Sequence, residues 1–368
     1  MSRFTLVRGA LVGAATLIIA GCGPAGGKES STLVLAHYAL APISQPLPVR
    51  GIGGPLSILT YNVHGLPWPV VPERDADIRQ MESDLRALRS LHRQPHIVVL
   101  QEAFTDAARA LGRDSGYRFA ASGPDAGLAN AGRAGAPPFD GPFRSKGEED
   151  GHWVDSGLQI FSDYPLSRIR QIAFGNCAGF DCLANKGAVM ATIALPGQGA
   201  IELVTTHLNS RNASGVPDSR SLAAYRAQVA DLAAFVRANR DPALPLVMAG
   251  DFNASSPDRA RALGAAAAPV TRNDALGYCL VKAGSCRSSF PGMTAAVRLR
   301  ARDWQFYANG SGETILPEAV AMTFGPEANG RLLSDHIGYS VAYLLAPARL
   351  AGDGWRRVLR GRADLPAA

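Results

Sequence analysis

The sequence predicts an α/β domain over about residues 53–345. Short apolar runs rich in β-branched residues recur along that span, each too brief for a helix. Two longer stretches between them carry an apolar stripe at helical spacing with charged residues on the opposite face. The composition, 47% hydrophobic and 18% charged over 368 residues, supplies enough apolar side chain for a sizeable core and excludes a disordered chain.

In chain order the predicted strands are "LSILTYN" from Leu56, "HIVVLQE" from His96, "SGLQIF" from Ser156, "GAVMATIAL" from Gly187 and "AIELVTTH" from Ala200. They continue with "LPLVMAGD" from Leu244, "WQFYA" from Trp304 and "HIGYSVAYLL" from His336. The predicted helices are "DADIRQMESDLRALRSLH" from Asp75 and "SLAAYRAQVADLAAFVRANR" from Ser221. Residues 121–152 are Gly- and Pro-rich and too long for a plain connector, which points to a functional or mobile loop. No internal repeat is visible.

The chain begins "MSRFTLVRGALVGAATLIIAGCG": a basic start with Arg3 and Arg8, an apolar stretch short for a membrane span, then small residues before Cys22. An export signal over residues 1–21 is expected. "LIIAGC" resembles the lipobox of bacterial lipoproteins, which implies lipidation of Cys22 and an anchor in the bacterial cell envelope, facing the periplasm or the outside. An ordinary signal with a chance cysteine, or an uncleaved anchor, is the alternative. Residues 22–52, rich in Gly, Ser and Pro, then form a tether, and residues 346–368 form a basic tail. A formal charge of +6 tolerates an anionic substrate without identifying a nucleic-acid binder.

Four further cysteines, Cys177, Cys182, Cys279 and Cys286, suit two short-range disulfides in an oxidising compartment, although three pairings are possible. Neither local pair has the spacing of a zinc site. "CAGFDCLANKG" also sets Asp181 and Lys186 five residues apart, a pair that on a stapled surface turn would contribute little.

Polar residues end several predicted strands: Asn62, Glu102, His207 with Asn209, and Asp251 with Asn253. Asp303 opens another, and Asp335 with His336 stands immediately before the last. Each alone has a plain structural reading, as a turn residue, a surface charge or a satisfied edge histidine. Together they are an inventory for attacking a phosphodiester, where a hard cation on oxygen ligands offsets charge on the phosphoryl oxygens.

In this order, "TYNVHG", "LQEAF", "DSGLQIFSDYPL", "TTHLNS", "AGDFN", "RDWQFY" and "SDHIGYS" resemble the endonuclease/exonuclease/phosphatase superfamily, the DNase I-like fold. The resemblance implies a four-layered α/β sandwich, two mainly antiparallel sheets packed face to face with helices outside. It implies Mg²⁺, or Mn²⁺, held by Glu102 with Asn62 as oxygen ligand or orienter and Asp335 next to the metal or base. It further implies His336 as general base oriented by Asp303, Asp251 orienting the attacking water or touching a metal, and Asn253 and His207 donating to phosphate oxygens. Within the superfamily, "FGNCAGFDCLANKGAV" looks most like neutral sphingomyelinases and related bacterial phospholipases C. There Asp181 and Lys186 match a functional pair, and Asn209 joins them as a substrate-binding residue. No clear apolar hairpin with exposed aromatics is found, and a lipid anchor would make one dispensable.

Three functions are therefore expected in contrast: a monomeric Mg²⁺-dependent phosphodiesterase acting on phospholipid at a membrane surface, a DNase I-type nuclease at the envelope, and a non-catalytic binding lipoprotein. The nuclease would need basic residues gathered at the site, for which Arg211, Arg220, Arg272 and Arg302 are candidates. The intact polar set argues against the third.

Overall fold

The structure, a computed structural model, describes residues 56–67, 70–130, 141–271, 273–281, 286–288, 303–327 and 330–348. The expected signal, Cys22, the tether, all but the first residues of the basic tail, and Arg272 and Arg302 lie outside the described residues.

Two mixed sheets dominate. The first runs in the order β10 (Arg287–Ser288), β12 (Glu313–Phe324), β13 (Gly338–Pro347), β1 (Leu56–Gly65), β2 (Ile97–Ala103), β4 (Gln159–Ser162) and β3 (Phe119–Ser122). The second runs β5 (Leu166–Ala173), β6 (Gly187–Leu195), β7 (Gly199–His207), β8 (Leu246–Asp251), β11 (Asp303–Ala308) and β9 (Asn273–Asp274). Most neighbours are antiparallel, but β1 with β2 and β7 with β8 are parallel pairs in the middle of each sheet, and short β10 pairs parallel with β12 at an edge.

Alternation along the strands explains the layers. Ile58, Ile97, Val99 and Ile160 of the first sheet meet Val189, Ala191, Leu203, Val247 and Ala249 of the second in one inter-sheet core. Their neighbours point outward. Leu59, Tyr61, Val98 and Leu100 pack under helices α1 (Asp75–Ser90) and α2 (Asp106–Asp114), against Ile78, Met81, Leu85 and Leu111. Met190, Val204 and Met248 pack under α3 (Asp218–Asn239) and α4 (Pro257–Ala267), against Tyr225, Val229, Leu232 and Leu263. The central strands read as unbroken apolar runs because both of their faces are covered. A short helix α5 (Ala275–Val281) follows β9.

Both expected short-range disulfides are present, Cys177–Cys182 and Cys279–Cys286. The Gly- and Pro-rich segment is partly described. Residues 141–152 are held down by Glu148, which accepts from the N–H groups of Phe143 and Gly179 and pairs with Arg220. Among the described residues no helix is long and apolar enough to cross a membrane. The large exposed apolar side chains, Val70, Leu91, Trp153 and Ile169, belong to different segments of the chain.

Candidate functional site

The parallel pairs bring the strand-end residues together. In β1 and β2 Asn62 lies in register with Gln101, so Asn62 and Glu102 leave the first sheet at the same edge. In the second sheet His207 pairs in register with Asp251, and Asp251 with Asp303, the first residue of antiparallel β11. Five residues, Asn62, Glu102, His207, Asp251 and Asp303, therefore meet where the two sheets share an end.

Their contacts close into one cluster. Asn62 donates its amide to Glu102 Oε1 at 2.9 Å and to Asp251 Oδ2 at 3.2 Å, and its Oδ1 accepts from the His64 N–H at 3.0 Å. The Asn62 NH₂ thus faces the carboxylates, and its oxygen is engaged in the backbone turn. His207 Nε2 lies 3.5 Å from Asp251 Oδ2 and 4.0 Å from Glu102 Oε1. His336 Nδ1 meets Asp303 Oδ2 at 2.6 Å, while Nε2 faces Asp251 Oδ2 at 3.7 Å. Asn253 donates to the Leu208 carbonyl at 2.8 Å, and its own N–H reaches Asp251 Oδ1 at 2.9 Å.

Glu102 (φ +56°) and Asn253 (φ +47°) both have the left-handed backbone that non-glycine residues rarely adopt. Such conformations concentrate where function fixes the direction of a side chain. Burial pushes the His207 imidazolium down in pKa, and the Lys186 charge adds to this against the pull of Asp251, Glu102 and Asp181.

The residues suit a hard divalent cation. Glu102 keeps a partly exposed carboxylate beside Asp251, and among the described residues no lysine or arginine pairs with Glu102. Ligand atoms of Asp251, Asp303 and His336 also lie within 4.8 Å of one another, close enough to share an ion.

Asp181 and Lys186 are not a surface pair. Lys186 Nζ stands 2.5 Å from Asp181 Oδ1 and donates to the Leu208 carbonyl at 3.2 Å, with both side chains at least nine-tenths buried. The other carboxylate oxygen accepts from the N–H and hydroxyl of Ser210, at 2.8 and 2.6 Å. Burial alone would raise the Asp181 pKa, but Lys186 and the Ser210 bonds outweigh it and hold the carboxyl below its ordinary value. The stapled turn Gly179–Leu183 carries Asp181. Gly179 there has φ +63°, and a Cβ would overlap the Ser214 carbonyl oxygen.

Two more of the expected residues have contacts of their own. Asn209 is fully buried, its Oδ1 accepting from the Ala178 N–H and its amide donating to the Ser210 carbonyl, so that it ties the stapled turn to the end of β7. Asp335 lies at the rim, about half exposed, with its carboxylate 3.5 Å from His64 Nδ1. Its position before His336 in sequence is no guide to direction, because consecutive side chains diverge.

Sequence reasoning missed Ser210, Ser334 and Arg259. Ser334 donates to the Asn62 carbonyl at 2.7 Å and accepts from the His336 N–H at 3.1 Å. Fully buried Arg259 donates to the Asn209 and Ser210 carbonyls and the Ser221 hydroxyl behind the Asp181 turn. "SDH" and "HLNS" hold two of them in plain view, but nothing in their spacing marks them.

Two packed mixed sheets between helices, with acidic, histidine and asparagine side chains converging at one common edge, define a DNase I-like α/β sandwich. The chain belongs to the endonuclease/exonuclease/phosphatase family, whose model matches residues 59–362. It is 24% identical over 299 residues to a sphingomyelinase of Mycobacterium tuberculosis, a match covering 78% of this chain and 52% of that protein. It thus spans about half the length of the curated relatives it matches. Among solved structures it is similar to sphingomyelinase C from Streptomyces griseocarneus, with TM-score 0.50 and 21% identity, covering 78% of this chain and 99% of that one. It is also similar to a mutant beta toxin from Staphylococcus aureus with bound magnesium ions, with TM-score 0.52, 18% identity and the same coverage.

Proposed function

We propose that this protein is a Mg²⁺-dependent phosphodiesterase of the sphingomyelinase or phospholipase C type, acting on phospholipid as a monomer lipid-anchored through Cys22. The observation that carries the reading is the buried Asp181–Lys186 pair, whose charges act on His207 of the Glu102–Asp251–His336 cluster. The matches to sphingomyelinases support the substrate class, and the magnesium bound in the beta toxin supports the metal.

When bound, Mg²⁺ would be held chiefly by Glu102, with Asn62 orienting that carboxylate, and would offset the charge that develops on the phosphoryl oxygens. The chain's own groups supply the rest. Asp303 accepts the Nδ1–H of His336, which leaves Nε2 as the basic atom. That atom faces Asp251, so the pair is set to take a proton from a water and to orient it for in-line attack on phosphorus. The P–O bond to the lipid alcohol breaks as the new one forms, and the departing oxygen takes up a proton from solvent while His336 later gives up its own. His207 and Asn253 stand ready to donate hydrogen bonds to phosphate oxygens, and Lys186 adds positive charge behind them.

A DNase I-type nuclease is the alternative reading, and the described residues give it little. Arg211 pairs with Asp218, and Arg220 is drawn onto Glu148. The test is hydrolysis of sphingomyelin and phosphatidylcholine vesicles and of plasmid DNA by purified protein, with Mg²⁺ and with EDTA. Release of the phosphorylated head group in Mg²⁺, lost in EDTA and regained with Mg²⁺ or Mn²⁺, is expected. DNA cleavage without lipid cleavage would move the protein to the alternative, and full activity in EDTA after extensive dialysis would remove the metal. The anchor is checked separately: Cys22→Ala should shift the protein from the membrane fraction to the soluble one, and an unchanged distribution would overturn lipidation.

A further inference from the structure

The last residues of β1 and the loop before β13 carry opposite halves of the site. Asn62 and the neighbouring Glu102 belong to one, His336 to the other. Arg74, the residue before α1, lies between them. Its Nε donates to the His64 carbonyl at 3.3 Å, its Nη2 donates to the Leu333 carbonyl, and its Nη1 pairs with Asp77. Asp77 is buried in the first turn of α1 and also takes Arg331, from the same loop that carries the histidine. Ser334 makes a second tie to the Asn62 carbonyl, and Asp335 a third to His64. The guanidinium and the Ser334 hydroxyl each reach both backbones, since Ser334 Oγ also accepts from the His336 N–H, but the guanidinium alone of these ties also engages the start of α1 through Asp77.

We propose that Arg74 is a positioning residue whose guanidinium fixes the spacing between the Asn62–Glu102 end of the first sheet and the 333–336 loop that presents His336. The inference rests on the phosphodiesterase reading for its kinetic consequence, not for its structural one. A planar fork with donors on separate nitrogens suits the task, because it spans two carbonyls and a carboxylate in one rigid group. A lysine offers a single point of charge and cannot bridge all three. Misplacement of reacting groups by about 1 Å costs on the order of 10²-fold in rate. Loss of the fork should therefore appear in kcat, while KM, set by contacts elsewhere, should stay nearly constant.

The experiment compares Arg74→Ala and Arg74→Lys with the parent, in steady-state kinetics on the phosphodiester the parent cleaves best and in amide hydrogen exchange. For Arg74→Ala, kcat per folded molecule should fall about 10- to 100-fold with KM within about twofold. Arg74→Lys should recover only part of the loss. Millimolar guanidinium should raise kcat of the alanine variant and not of the parent. Exchange should quicken in peptides covering 62–64 and 333–336 and stay unchanged in β6 and β7. Should the alanine variant not fold, the lysine variant carries both readouts. A kcat within about twofold of the parent overturns the proposal, as does a loss of kcat with unchanged exchange at 333–336, or exchange that changes only around Asp77. A parent inactive on every phosphodiester would instead sink the proposed function, and the exchange result would still decide the role of Arg74.

Discussion

His336→Ala is expected to lower kcat by at least about 10²-fold, within the usual range for loss of a general base. The geometry gives the reason. Asp303 holds Nδ1 at 2.6 Å, which fixes the ring and its tautomer, and Nε2 is presented to Asp251 across 3.7 Å. No other described imidazole is placed to substitute. His207 already lies against Asp251 and Glu102 and is depressed in pKa by burial and Lys186, and His64 is at the rim beside Asp335. The fold should survive with some loss of stability, because the backbone N–H of residue 336 keeps its bond to Ser334 while buried Asp303 loses the imidazole partner of its Oδ2. Turnover at saturating substrate and Mg²⁺, compared with the thermal unfolding midpoint, separates the two effects. Normal turnover in the alanine variant would overturn the assignment, and a midpoint lowered in proportion to activity would make the residue structural.

The parts of the fold legible in the sequence are those covered on both faces. "GAVMATIAL" is apolar throughout because Val189 and Ala191 enter the inter-sheet core while Ala188 and Met190 pack against the α3 layer, and the strand found is Gly187–Leu195. Edge strands carry no such signal. β5 exposes Ser167, Arg168 and Ile169 to solvent, and its sequence "LSRIRQIA" mixes charge with apolar residues. β12 contains Pro317, next to a break in its register with β13, and proline argues against a strand when read locally. Helices α2 and α4 are short and are absent from the predicted elements, although a side chain caps each. Thr105 accepts from the Ala108 N–H, and Ser256 accepts from the Arg259 N–H with Pro257 at the first position.

The site was legible as a list and illegible as an arrangement. Asn62, Glu102, His207 and Asp251 end apolar runs, and strand ends of a layered sheet are natural places for reactive groups. That they share one edge depends on two parallel pairings, each joining strands separated by a long connection, and no local pattern encodes such a pairing. The same limit explains Asn209 and Asp335. Both stand beside residues of the cluster in sequence, and both turn elsewhere, one into the stapled turn and one to His64. Arg74 and Arg259 were invisible for a further reason: most arginines lie on the surface, and only tertiary contacts show which guanidinium is buried against backbone carbonyls.

Lys186→Met is expected to destabilise the protein by about 3–5 kcal/mol, the range for removing one partner of a buried ion pair. The same change on a solvated pair would move stability by at most about 1 kcal/mol. The large value follows because Asp181 keeps its buried charge while losing the ammonium at 2.5 Å, and the two Ser210 hydrogen bonds offset only part of the desolvation. Asp181→Asn in the same background should recover much of the loss, since it removes the stranded charge and preserves an acceptor for Ser210. The pH dependence has a definite sign. In the parent, Asp181 has a folded-state pKa below its unfolded value of about 3.9. Its contribution is present above that value and is lost as pH falls through the folded pKa. In Lys186→Met, uncompensated burial raises the folded pKa above the unfolded one, so the penalty is full at neutral pH and fades on acidification. The gap between the two proteins should thus begin to narrow as pH falls through the raised pKa of the variant, and close only as it falls through the depressed folded pKa of the parent. Denaturant unfolding of the parent, both single variants and the double variant at neutral and acid pH measures this directly. The same four proteins give kcat/KM for the proposed reaction, where the pair, standing against His207, should act as a unit with strongly non-additive effects. Small additive changes in stability with kcat/KM within about twofold throughout would return the pair to a purely structural staple and remove the feature that favours a phospholipase over a nuclease.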